Sequence, residues 1–109
     1  MGALERSLKT IVDWAKSEQR IIRVYFFGSR YKGTAKPESD LDIAVEIVKG
    51  ENDTSHRATF AFEKEEFLEQ LEGRIPFDLD LQLYVGDAET PNMHGFLHEA
   101  SRVIYESQI

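Results

Sequence analysis

No cysteine occurs in the 109 residues, which excludes disulfides, thiolate metal sites and cysteine nucleophiles. That absence fits the cytoplasm, the expected compartment. Long apolar runs are missing too. None approaches the ~18–20 residues that a membrane-spanning helix needs, so no membrane association is expected. The opening MGALERSLKT lacks the apolar core of a signal peptide. Positive charge is scarce: 13 Lys and Arg stand against 20 Asp and Glu, a formal net charge of −7. A broad basic face for bulk DNA or RNA binding is therefore not expected. A single nucleotide is not excluded, because a metal-bridged triphosphate needs only local positive charge. There is no internal repeat, low-complexity tract or Pro-rich linker. What remains is an ordinary globular composition, 41% hydrophobic and 30% charged. Its length suits one domain, residues 1–109, with a real but modest core.

Hydrophobic periodicity sorts the chain into alternating elements. Leu4, Leu8, Ile11, Val12 and Ala15 form one apolar stripe and predict a helix over 4–18. Residues 21–27, IIRVYFF, are β-branched and aromatic and end at Gly28, as a strand meeting a turn does. Residues 29–39 form a short helix or loop punctuated by Gly33 and Pro37. A second strand covers 41–48, a polar loop 49–56 and a second long helix 57–72, with Phe60, Phe67, Leu68 and Leu71 on one face. Residues 77–85 alternate with period two: Phe77, Leu79, Leu81, Leu83 and Val85 on one side, Asp78, Asp80, Gln82 and Tyr84 on the other. Phe96, Leu97, Ala100, Val103 and Ile104 predict a final helix over 93–106. The order α-β-α-β-α-β-α implies an α+β fold, a small mixed sheet with helices packed on one side.

The chemistry concentrates in Gly28 to Asp42, GSRYKGTAKPESDLD. Glycine directly after a strand permits a tight turn and close backbone approach by a ligand. Ser29 then offers a hydroxyl and an N–H where a phosphate is favoured. Arg30, Lys32 and Lys36 add local positive charge. Asp40 and Asp42, at i and i+2, project from one face if the strand begins at or just before Asp40. Two carboxylates ~4 Å apart repel by ~1 kcal/mol in water and several times that near a protein surface. A divalent cation offsets this, and Mg²⁺ prefers carboxylate and phosphate oxygens. An isolated D-x-D is also a plain turn or solvated strand edge. If the second and third strands are neighbours, Asp78 or Asp80 completes a triad able to hold two Mg²⁺ ions. An acidic face on an antiparallel strand also simply faces water.

The pattern strand–GSRYKG–x5–SDLD–strand resembles the DNA polymerase β-like nucleotidyltransferase superfamily. Within it the chain is similar to the minimal nucleotidyltransferases, the antitoxins of HEPN-domain toxins. The third strand in IPFDLDLQLY and the closing RVIYE extend the likeness over nearly the whole chain. The resemblance implies that Gly28 and Ser29 bind the nucleoside triphosphate, that Arg30 and Gly33 complete the signature, and that Asp40 and Asp42 are metal ligands. Asp80 best matches the third carboxylate, with Asp78 as its register-shifted rival; a two-residue slip exchanges them. It further implies Mg²⁺, one ion or two, with Mn²⁺ as substitute, and ATP as donor. Larger members carry acceptor-binding domains for which this chain has no room, so a partner supplies the acceptor or is the acceptor, in homo- or hetero-oligomeric assembly. In some relatives AMP passes to a tyrosine of the HEPN toxin. The alternative is an antitoxin that occludes its toxin and only binds nucleotide.

Weaker signals remain. His94 and His98, at i and i+4, lack the further ligand and the H-E-x-x-H pattern of a zinc site. Phe62 points away from its helix's apolar face and either marks a partner surface or is an isolated exposed aromatic. Glu63, Glu65, Glu66 and Glu69 form a solvated face that also suits a basic partner.

Overall fold

A computed structural model describes residues 2–108. Helix α1 spans Ala3–Ser17 and buries Leu8, Ile11, Trp14 and Ala15. Strand β1, Ile21–Phe27, runs into the single-turn helix α2, Gly28–Lys32. Strand β2 is Leu41–Ile47 and helix α3 is His56–Glu72. The side chain of Ser55 caps α3 by accepting from the N–H of Ala58 at 3.1 Å. Strand β3, Leu79–Leu83, is followed by the short helices α4, Gly86–Glu89, and α5, Pro91–Glu99. Strand β4, Ser101–Glu106, closes the fold.

The four strands lie in the order β3-β2-β1-β4. β1 is antiparallel to both β2 and β4, while β2 and β3 are parallel. The mixed sheet and α+β class are as the sequence pattern implies. Three particulars differ. The third strand is parallel to the second, not antiparallel, because α3 carries the chain back across the sheet between them. The helix expected over 93–106 ends at Glu99, and 101–106 is a strand. Val103, Ile104 and Tyr105 suit a strand, and the open edge of β1 supplies their backbone partners. Third, not all helices share a side of the sheet.

On one face, α1 and α3 cover Ile21, Val24, Phe26, Leu41, Ile43, Val45, Leu81 and Leu83. Phe67 is fully buried there and meets Trp14 edge to face, with ring centroids 5.3 Å apart. The indole N–H donates to Gln70 Oε1 at 2.7 Å, so burying Trp14 leaves no polar group unpaired. The opposite face carries a smaller cluster of Phe27, Ala44 and Leu97, flanked by Tyr25, Tyr84 and Met93. Leu97 brings α5 over that face, where the acidic residues also emerge. Arg23 ties three strands together, pairing with Glu46 on β2 and, at 2.8 Å, with Glu106 on β4. Tyr25 donates to the same Glu46 at 2.7 Å.

Candidate active site

Register aligns the site. Phe27 pairs with Asp42 across β1 and β2, and Asp42 pairs with Asp80 across β2 and β3. In-register neighbours project from the same face, so the end of β1 and two carboxylates stand in a row across the sheet. The inward alternation of Leu41, Ile43 and Val45 forces Asp42 outward. Leu81 and Leu83 do the same for Asp80. When one of the two carboxyl groups is protonated, its proton can be shared with the other in a hydrogen bond. Burial, then that hydrogen bond and the charge of Asp80, then the charge of Asp40, push the Asp42 carboxyl up to about 6; Arg30 pulls weakly the other way.

Gly28 lies directly over this pair. Its φ of +81° is in the left-handed region, and a Cβ there would sit 2.0 Å from Asp42 Oδ2. No other residue combines that backbone angle with that approach. Ser29 follows it in the first turn of α2, and Gly33, at φ +78°, closes the turn by donating its N–H to the Ser29 carbonyl. A cavity of about 320 Å³ lies in front, lined by Gly28, Lys32, Asp42, Asp80 and Phe96 among others. Lys32 provides a cation at this cavity and lies 3.9 Å from Glu99.

Arg30 is turned toward the protein itself. Its guanidinium donates to the carbonyls of Ser39 at 2.7 Å and Pro37 at 3.2 Å and lies over the Phe77 ring at 4.2 Å. It thus fastens the 36–39 turn that leads into Asp40. Asp40 precedes β2, and its side chain is exposed outside the Asp42–Asp80 pair. Asp78 is exposed at the entry to β3, where its carbonyl accepts from the Leu41 N–H at 2.8 Å. In register, Asp80 and not Asp78 faces Asp42. Among the described residues no three Asp, Glu or His side chains enclose a metal as they stand. The pair nevertheless fits a divalent cation: two converging carboxylates, one with its ionised form disfavoured, face a cavity roomy enough for a phosphate. Asp40 and phosphate oxygens are the remaining donors at hand.

Gln82 went unassigned in the sequence. It shares the polar face of β3 and donates to Asp80 Oδ1 at 2.7 Å, which orients that carboxylate. Its signal was the period-two spacing from Asp80. Phe96, expected inward, is 54% exposed and overhangs the carboxylates instead. His94 and His98 stack with ring centroids 5.2 Å apart, and His94 Nδ1 bonds the Tyr84 hydroxyl at 2.6 Å. They support α5 on the sheet and lie outside the carboxylate site. Phe62 is 75% exposed on α3, as its helical phase implies. No helix among the described residues is long and apolar enough to cross a membrane.

Residues 9–109 match the family model described as polymerase beta, nucleotidyltransferase. No curated protein matches the sequence. Among solved structures the fold is similar to that of a toxin–antitoxin crystallised with AMP-PNP, at 19% identity and a TM-score of 0.64, covering 93% of this chain and 74% of the other. It is also similar to a mutant of the toxin–antitoxin MntA-HpeT, at 17% identity and a TM-score of 0.63, with the same coverage. A putative nucleotidyltransferase from Sulfolobus solfataricus aligns at 18% identity and a TM-score of 0.56, over 97% of this chain and 82% of that one. The resemblance carried by the GSRYKG and SDLD motifs is borne out in family and fold.

Proposed function

The chain belongs to the polymerase beta nucleotidyltransferase family, and from that premise we propose that it is a Mg²⁺-dependent adenylyltransferase acting as an antitoxin. The chain acts as one catalytic domain. It transfers AMP from ATP to a hydroxyl on a HEPN-type toxin partner. One observation carries the catalytic part: the Asp42–Asp80 carboxylate pair directly beneath the Gly28 turn. Similarity to a toxin–antitoxin with AMP-PNP supports the donor and the partner class.

Each residue has a task. Gly28 leaves room for phosphate oxygens against the strand end, and Ser29 donates to them from its N–H and hydroxyl. Gly33 closes the turn that presents Ser29. Lys32 offsets phosphate charge at the cavity wall. Arg30 sets the turn that delivers Asp40. Asp42 and Asp80, joined by Asp40, are the metal ligands. When bound, Mg²⁺ neutralises the carboxylates and the phosphate oxygens together. The acceptor oxygen forms a bond to the α-phosphorus, the bond to the β-phosphate oxygen breaks, and pyrophosphate leaves with the electron pair. Asp80, oriented by Gln82, takes the acceptor proton. Positioning and charge neutralisation supply most of the rate.

Intact-mass spectrometry tests this reading. The chain is co-expressed with its HEPN-type neighbour and supplied with ATP and Mg²⁺. The partner's mass should rise by whole AMP units, and Asp42→Asn should abolish the rise. A stable complex without a mass gain would instead favour neutralisation by occlusion.

A further inference from the structure

Strand β4 ends the sheet, so one of its two edges has no partner strand. Along that edge the backbone of Ser101–Glu106 presents N–H and C=O groups outward. Arg102 is exposed there and Val103 is 45% exposed. Helix α1 covers the same rim, and a cleft of about 430 Å³ lies between the two elements. Leu8 and Val12 of α1 with Val103 and Ile104 of β4 give it an apolar lining. The rim is remote from the carboxylates, which stand on β2 and β3.

Charge at the cleft is complementary to itself. Glu5 stands on the α1 wall and Arg102 on the β4 wall. Neither has an ion-pair partner among the described residues. Lys9, the third charge at the cleft, already lies 3.4 Å from Asp13. A two-fold axis through the rim sets each Arg102 against the Glu5 of a second copy, and both pairs form together. An open edge by itself accepts any extended segment. The opposed Glu5 and Arg102 select a second copy of the same chain.

Backbone register agrees with that choice. Antiparallel pairing centred on Val103 places it opposite its own counterpart and places Arg102 opposite Ile104 of the other copy. Such neighbours must project from one face. Arg102 pairs with Phe26 of β1, whose side chain lies in the α1–α3 core, and Ile104 packs on that same core. Ile104 is also the residue left unpaired by the register shift in β4, and Tyr105 beyond it packs on the core as well. The alternation breaks there, so matched pairing covers 102–104 and the cleft walls supply the remaining contact. We propose that the chain dimerises through β4 and the α1–β4 cleft. The product is one continuous eight-stranded sheet, with β4 beside β4 at its centre. The two α1 helices adjoin on one face. Both Asp42–Asp80 pairs open on the other face, toward opposite ends of the sheet, and stay free for substrate. The pairing does not depend on the chemistry of those sites.

Sedimentation velocity of the full chain over a dilution series, without nucleotide, reads the association. A species of twice the chain mass should grow with concentration and weaken at high salt. Arg102→Glu and Glu5→Arg each bring like charges together and should weaken dimerisation about tenfold or more. Combined, they restore opposite charges and should return the affinity to within about threefold of the parent. Both side chains are exposed, and circular dichroism checks that each variant is folded. Hydrogen exchange on the parent gives a second reading. Amides of 102–104 should slow at concentrations where the dimer dominates, while those of β3, at the other edge, stay unchanged. A chain that remains monomeric would overturn the proposal, as would a dimer indifferent to both single variants. So would a double variant no tighter than the singles, or protection gained at β3 in place of β4. A monomer whose β4 amides slow only when the toxin partner is added would overturn it too, and would give the edge to that partner.

Discussion

Replacing Asp42 by Asn should stabilise the metal-free protein. In the folded chain the Asp42 carboxyl is pushed from 3.8 up to about 6, chiefly by burial and then by Asp80. A group whose folded pKa is raised favours folding when protonated and opposes it when ionised. The penalty is therefore absent below about pH 4, grows as pH rises from 3.8 to about 6, and is complete above that. At about 1.4 kcal/mol per tenfold change in proton affinity, the full gap is about 3 kcal/mol. Asp42 is only partly buried, and solvent screening reduces this to about 1–2 kcal/mol. Asparagine keeps the size of the protonated carboxyl, and its amide can still donate to Asp80. Asp42→Asn should thus raise Tm in EDTA at pH 8 by about 4–16 °C, given about 4–8 °C per kcal/mol for a domain near this size. The advantage should vanish at pH 4. Mg²⁺ should reverse the order: at about a hundredfold above its Kd it adds about 2.7 kcal/mol to the parent, and it should add nothing to the variant. Differential scanning calorimetry at the two pH values, with and without Mg²⁺, measures all of this. A variant no more stable than the parent at pH 8, an advantage that persists at pH 4, or an equal response to Mg²⁺ would refute the reasoning.

Gly28→Ala should reduce nucleotide affinity at least about tenfold by calorimetry, because the new methyl would meet Asp42 Oδ2 at 2.0 Å and the backbone angle of +81° strains alanine by about 1–3 kcal/mol. Phe67→Ala empties a fully buried site against Trp14 and should cost about 3–5 kcal/mol in urea unfolding, with the indole fluorescence as the probe. Arg30→Lys loses the planar fork to Ser39 and Pro37 and the stacking on Phe77. Hydrogen exchange at residues 36–40 should speed up, while the core strands stay as protected as in the parent. Val103→Ala should lower stability by a few tenths of a kcal/mol, since a β-branched residue suits strand β4, whereas in a helix the same change would raise it.

Much of the fold was legible because its signals are local. The stripe of α1 needs one apolar side against a core, and Leu81 and Leu83 on β3 need only alternation. The placement of Gly28 follows from a strand ending in a turn that only glycine tolerates. The closing strand was misread because Phe96, Leu97, Ala100, Val103 and Ile104 also satisfy helical spacing. Periodicity alone cannot see the open edge of β1 that captures residues 101–106. Arg30 reads from sequence as a phosphate-binding cation, yet its carbonyl partners lie 7 and 9 residues away in a turn whose shape no local rule supplies.

The sequence by itself determined which residues are acidic, which face each strand buries and where glycine must break the chain, since these follow from side-chain chemistry and a period of two or 3.6. Only the tertiary structure decided which carboxylates meet. The choice of Asp80 over Asp78 depends on a parallel register between residues 38 apart in the chain, set by how α3 packs across the sheet. The same register leaves Asp40 outside the pair and raises the proton affinity of Asp42. These are long-range properties, and they exist only once apolar burial has brought β1, β2 and β3 side by side.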